Sequence, residues 1–163
     1  MKSFVLELPY DPPSQNVWER TNRFAKKKLM LRYRDAVLML ARDPHGHPAG
    51  EGPYRKTMLA QKTNKAIREQ VVAELRKTWP KKRKAYVDIT VRRPKRFDRG
   101  NHIGGCKPLL DAIQWAGWCV TDHCNWLVDI YRDQVIGDEK TIVEFFLPET
   151  DEDEELLERK FKV

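Results

Sequence analysis

Between two clusters of lysine and arginine the chain holds a stretch that alternates in character at every second residue. Ala85, Val87, Ile89 and Val91 fall on one side of it, and Tyr86, Asp88 and Thr90 on the other. Successive side chains of an extended backbone point to opposite faces, so this pattern predicts a strand with its apolar face on a core. A chain of 163 residues with 40% hydrophobic content suits one such core in one domain.

The flanking segments have other periods. Phe4, Leu6 and Leu8 alternate with Val5 and Glu7, an opening strand ended by the proline-rich run from Pro9 to Pro13. Tyr33, Ala36, Val37, Leu40 and Ala41 recur at helical spacing and predict a helix from about Arg23 to Arg42, whose start is rich in lysine and arginine and faces outward. Ile67, Val71 and Leu75 predict a second helix from about Leu59 to Lys77, with Pro80 marking its end. Leu109, Ala112, Ile113 and Ala116 form the apolar stripe of a third, from about Gly104 to Trp115, with Pro108 in its first turn and Gly117 as its stop. Lys107 and Asp111 share the opposite face of that helix. Two later strands, about Trp126 to Gln134 and Lys140 to Pro148, flank a Gly137-Asp138 turn and read as a hairpin. The order predicts an α+β fold, a small mixed sheet packed by about three helices. One domain spans residues 1–148, with an acidic tail at 149–163. Between the first two helices, Asp43 to Thr57 is too rich in glycine and proline for a regular element, and its His45 and His47 are expected to be solvated.

The formal net charge is +7, and it is unevenly spread. Residues 149–163 hold seven acids against three bases, which leaves the preceding body at +11. Such a body favours a polyanionic partner, nucleic acid above all, although a merely solvated basic face has the same composition. The tail is expected to stay outside the core, either as a solvated segment or folded over the basic face. No run of eighteen apolar residues occurs, and Met1 to Pro9 lacks the parts of a secretion signal. A cytoplasmic protein with no membrane partner is expected. Cys106, Cys119 and Cys124 lack the paired spacings of a zinc site and read as partly buried thiols.

The bases gather at both ends of the central strand: Lys81, Lys82, Arg83 and Lys84 before it, and Arg92, Arg93, Lys95, Arg96 and Arg99 after it. These are the candidate DNA-binding residues. Just inside the second cluster lies Asp98, followed by Asn101, Asp111 and Asp122. Carboxylates among so many bases suit phosphodiester hydrolysis: they hold a hard cation that acidifies water, while lysine and arginine grip phosphates. The plainer alternative is that Asp98 and Asp122 are ordinary turn residues.

The run Arg96-Phe-Asp-Arg-Gly-Asn-His-Ile-Gly-Gly-Cys-Lys-Pro-Leu-Leu-Asp-Ala-Ile, continuing to Asp122, resembles the signature of the RusA family of Holliday junction resolvases, in its phage and prophage variant. Leu8-Pro-Tyr-Asp-Pro-Pro-Ser-Gln-Asn16 is similar to that family's first strand and turn, and Tyr33-Arg-Asp35 to its Tyr-Arg-Asp helix. The resemblance implies a homodimeric endonuclease that cuts four-way junctions and other branched DNA with Mg²⁺, or Mn²⁺, and no small-molecule cofactor. It implies that Asp98 and Asp122 bind the metal, that Lys107 is a catalytic or phosphate-contacting base, and that Asn101 and Asp111 support the site. Lys107 near a helix amino terminus is also electrostatically costly, a cost that a bound phosphate would relieve. Two positions depart from the family pattern. Gly100 stands where a second aspartate is usual, and Thr121 where the terminal acidic pair begins. The alternative implied by Gly100 is a protein that binds branched DNA and cuts it poorly. Trp115, Trp118 and Trp126 cluster near the end of the third helix as core or interface residues, with Trp118 the alternative candidate for a wedge at the junction crossover.

Overall fold

The alternating stretch forms the central strand, β2 (Ala85–Arg93), of a five-stranded sheet. The structure is a computed structural model and describes residues 1–40, 73, 76–77, 83–115, 118–119, 123 and 125–162. The Asp43 to Thr57 loop, with His45 and His47, lies outside the described residues, as does most of the helix expected over Leu59 to Lys77. Within that helix Ala73, Arg76 and Lys77 are described, and they are helical.

The other strands are β1 (Lys2–Leu8), β3 (Leu127–Tyr131), β4 (Val135–Ile136) and β5 (Lys140–Leu147). The order is β1-β5-β2-β3, with β4 also paired to β2. β5 runs antiparallel to both β1 and β2, while β3 and β4 run parallel to β2. The fold is α+β with a mixed sheet.

β3 and β5 are not a hairpin. The backbone does reverse between them near Gly137, whose N–H donates to the carbonyl of Arg93 at 3.1 Å. β2, however, lies between the two strands, with β3 and β4 along one edge and β5 along the other. Eight of its nine residues are wholly or largely buried, and a buried strand must pair the backbone groups of both edges. Opening the hairpin around β2 meets that demand.

One sheet face carries the main core. Leu6, Leu8, Val87, Ile89, Val143 and Phe145 meet Tyr33 and Val37 of α2 (Arg23–Leu40), and Leu109 and Ile113 of α4 (Lys107–Trp115). Trp118 is 2% exposed and packs against Phe4 and Phe145, with ring centroids 6.1 and 5.5 Å away. It is a core residue, and burial on both sides removes it as a wedge. Cys106 and Cys119 are buried, and burial pushes the Cys106 thiol up to about 12.

The helix expected to begin at Gly104 is two helices, α3 (Arg99–Gly105) and α4, separated by a turn at Cys106. Pro108 explains the break, because it has no N–H to donate to the Gly104 carbonyl one turn earlier. In the first turn of α4 that missing donor costs nothing.

The acidic segment also departs from expectation. It forms α5 (Asp151–Phe161), opened by a capping box in which the Thr150 hydroxyl accepts from the Asp153 N–H and the Asp153 carboxylate accepts from the Thr150 N–H. Four acids in its first turn complement the helix dipole. Leu157, 1% exposed, joins Tyr86 and Phe146 in a second small core on the other sheet face. Phe161 stacks on Tyr86 at 5.9 Å. Leu157 and Phe161 are four residues apart, so one stripe of an otherwise charged helix is apolar. Leu157→Ala is expected to lower stability by about 2–3 kcal/mol in urea unfolding. An unchanged midpoint would show that α5 does not dock. No helix among the described residues is long and apolar enough to cross a membrane.

Candidate functional site

The run from Pro12 to Asn16 turns back against the α3/α4 break, and glycine makes the approach possible. A Cβ on Gly105 would lie 1.9 Å from the Pro13 carbonyl oxygen, and one on Gly104 would lie 2.4 Å from the Gln15 side-chain oxygen. After this turn Ser14 caps α1 (Gln15–Arg20), its hydroxyl accepting from the Val17 N–H at 3.3 Å. α1 packs on α3.

This packing carries a hydrogen-bond relay to Asp98. The Asn16 N–H donates to Asn101 Oδ1 at 3.2 Å. The Asn101 N–H donates to Asp98 Oδ1 at 3.0 Å, and its side-chain amide donates to Asp98 Oδ2. Asp98 is therefore the amino-terminal cap of α3, with an exposed carboxylate. The Asn101 backbone N–H, then the Asn101 side chain, hold that carboxyl below the usual aspartate range. It is ionised wherever the fold is intact near neutral pH.

The peptide before Asp98 is pinned from the other side. Gln134, buried, accepts from the Phe97 N–H at 2.9 Å and donates to the Phe97 carbonyl at 2.6 Å. Gln134 is a positioning residue that no local pattern singles out, because its partner lies 37 positions away, whereas Asn16 closes the Leu8 to Asn16 motif and acts through its backbone N–H on a partner 85 positions away.

Lys107 and Asp111 meet as their spacing predicts, Nζ to Oδ1 at 3.0 Å. Asp111 thus already offsets part of the cost of a cation at the start of α4, so that cost does not by itself call for a phosphate. Asp122 lies outside the described residues, as do Lys81, Lys82 and Cys124. Among the described residues no three histidine, cysteine or acidic side chains gather to hold a metal. Asp98 contributes one carboxylate, and its oxygens keep lone pairs beyond those Asn101 engages. Mg²⁺ commonly takes one or two carboxylates, with water and substrate phosphates completing its shell. Asp98 fits that role, and Gly100 cannot add to it. A Cβ at Gly100 would lie 3.5 Å from Asp98 Oδ1, an ordinary contact, so a longer side chain has room to begin there.

The basic residues divide. Arg92, Lys95, Arg96 and Arg99 are exposed at the end of β2 that adjoins Asp98. Arg93 is not part of that surface. It is 1% exposed, with Nε 3.3 Å from Asp11 Oδ2 without the alignment of a hydrogen bond, Nη2 donating to the Pro12 carbonyl at 3.4 Å, and the guanidinium over the Phe97 ring. It shares the core-facing side of β2 with Val87, Ile89 and Val91, and the same alternation, carried two residues further, places it there. It braces the Asp11-Pro12 turn. At the other end of β2, about 26 Å away for a strand of this length, Arg83 donates to Asp151 at 2.7 Å and to the Glu149 carbonyl. The carboxy-terminal segment holds it, and Lys84 beside it is half-buried. Among the described residues, Arg83 and Lys84 therefore do not converge with the second basic cluster on one site within the chain.

His102, 3% exposed, lies inside α3 with its ring edge-on to Tyr131. Burial first, and then the Arg93 cation, lower its pKa and keep it neutral near pH 7. A scan against protein-family models and a search of curated proteins both return no match to this chain.

Proposed function

We propose that this chain is a Mg²⁺-dependent endonuclease of the RusA type that nicks four-way junctions and other branched DNA. The observation that carries the proposal is the Asp98 carboxylate: exposed, ionised, and oriented by a relay that joins the two sequence segments with the strongest resemblance to that family. Asp98 would hold the ion together with Asp122. A bound Mg²⁺ lowers the pKa of its water and neutralises charge on the reacting phosphate. Arg96, Arg99 and Lys95 would grip the flanking backbone, and Lys107, paired with Asp111, would contact a phosphate at the start of α4. Two nicks across one junction suit a two-fold homodimer.

Incubation of the protein with a synthetic four-way junction across a Mg²⁺ titration tests this. Symmetric nicks that require the metal are expected, and no nick at any enzyme concentration refutes the proposal. Gly100 favours a second reading, a junction-binding protein with impaired cleavage. In that case Gly100→Asp, which has room to begin beside Asp98, raises the nicking rate. An unchanged rate removes this reading.

A further inference from the structure

The basic start of α2 faces outward, as its sequence predicts, but it carries an aromatic ring there. Phe24 is 85% exposed, more than any other large hydrophobic side chain among the described residues. Lys27 and Lys28, both exposed, lie three and four residues on and so share its helix face, and exposed Arg23 adjoins it in sequence at the helix start. Across the bend into α1, the Lys26 ammonium lies 5.3 Å from the centre of the Trp18 ring. Residues 15–28 hold five bases and one acid, Glu19, whose carboxylate accepts from Gln15 at 2.6 Å.

This corner is rigidly built. Asn22 caps α2 by accepting from the Ala25 N–H at 3.0 Å, and the Thr21 hydroxyl donates to the Val17 carbonyl at 2.6 Å. Lys26 Nζ donates to the Glu19 carbonyl at 3.2 Å and ties the two helices together. α1 in turn packs on α3 and reaches Asn101 through Asn16, so the corner adjoins the helix that Asp98 caps.

We propose that the α1–α2 corner binds nucleic acid at an unpaired or unstacked base, which stacks on Phe24 while Arg23, Lys27 and Lys28 hold the adjoining phosphates. The inference rests on the reading of DNA as the substrate and names the part of a branched DNA that this surface would take. An exposed ring offers little to a fully paired duplex, whose bases are covered by their neighbours. Beside phosphate-binding cations it suits a base of any sequence, because every base has a π face. A second copy of the chain is the weaker occupant, since a two-fold contact would set this positive patch against itself.

Fluorescence anisotropy without divalent ions separates binding from cleavage. An oligothymidine of about 20 nucleotides is compared with a duplex of the same length. Phe24→Ala is expected to weaken oligothymidine binding about tenfold and duplex binding by less than about twofold. The double variant Lys27→Gln and Lys28→Gln should weaken both and lower the salt slope by about 2. Equal effects of Phe24→Ala on both DNAs, or none, overturn the proposal. So does a change confined to sedimentation behaviour or to binding of anionic phospholipid vesicles. If the wild type nicks no junction but Phe24→Ala selectively loses the oligothymidine, the nuclease reading falls and this surface stands. If junctions are nicked and Phe24→Ala binds every DNA as the wild type does, only this surface falls.

Discussion

Asp98→Asn is expected to cut junction nicking by about a hundredfold or more, which is the scale of losing a direct ligand to a catalytic metal, while the protein stays folded. The reason lies in the two roles this side chain combines. Asp98 caps α3, and it presents the carboxylate proposed to hold Mg²⁺. Asparagine is as good a cap as aspartate, and its oxygen can still accept from the Asn101 N–H. What it removes is the negative charge. Asp98→Ala removes the cap as well, so it should lose both nicking and some thermal stability. Circular dichroism melts and a junction assay on the two variants separate the roles. Equal nicking by wild type and Asp98→Asn would exclude Asp98 as a metal ligand.

Gly105→Ala should destabilise the protein by about 4 kcal/mol, far more than most single changes on a partly exposed element. Its Cβ would sit 1.9 Å from the Pro13 carbonyl oxygen, a backbone atom in a turn held by prolines on one side and by the cap of α1 on the other. Neither partner can yield without moving the other. Gly104→Ala is the internal control. The nearest atoms to its Cβ belong to the Gln15 side chain, whose far end can swing away but whose own Cβ, 2.9 Å off, is fixed to the start of α1, so a smaller cost of about 2 kcal/mol is expected. Guanidinium unfolding of both variants measures the difference. Similar costs would mean that the turn is not seated against α3. The close approach that excludes a side chain at Gly105 also brings Asn16 to Asn101, so Gly105→Ala should loosen Asp98 too.

Much of this arrangement can be read along the chain. The alternation over Ala85 to Val91 determines a strand, the spacing of Tyr33 and Val37 determines the inward face of α2, and the Lys107–Asp111 interval determines an ion pair. Each is a local consequence of backbone periodicity, which states which side chains share a face. The α3/α4 break is local too, since it follows from the missing N–H of Pro108. Thr150 and Asp153 carry the capping signal for α5, although the acids around it suggest a solvated tail.

Tertiary structure decided which faces meet. Leu157 and Phe161 form a stripe legible in sequence, but only the sheet face made by Tyr86 and Phe146 turns that stripe into a core. The Gly137 turn reverses the chain, yet the burial of β2 makes the reversal open around a third strand. Composition places Arg93 with the surface cations, while its position on β2 and its contact with Asp11 put it inside. Asn16 and Gln134 acquire their positioning roles only when segments 85 and 37 residues apart are brought together. Backbone geometry constrains neighbours within a turn or two of helix. Contacts across such distances are selected by the burial and pairing of the whole molecule.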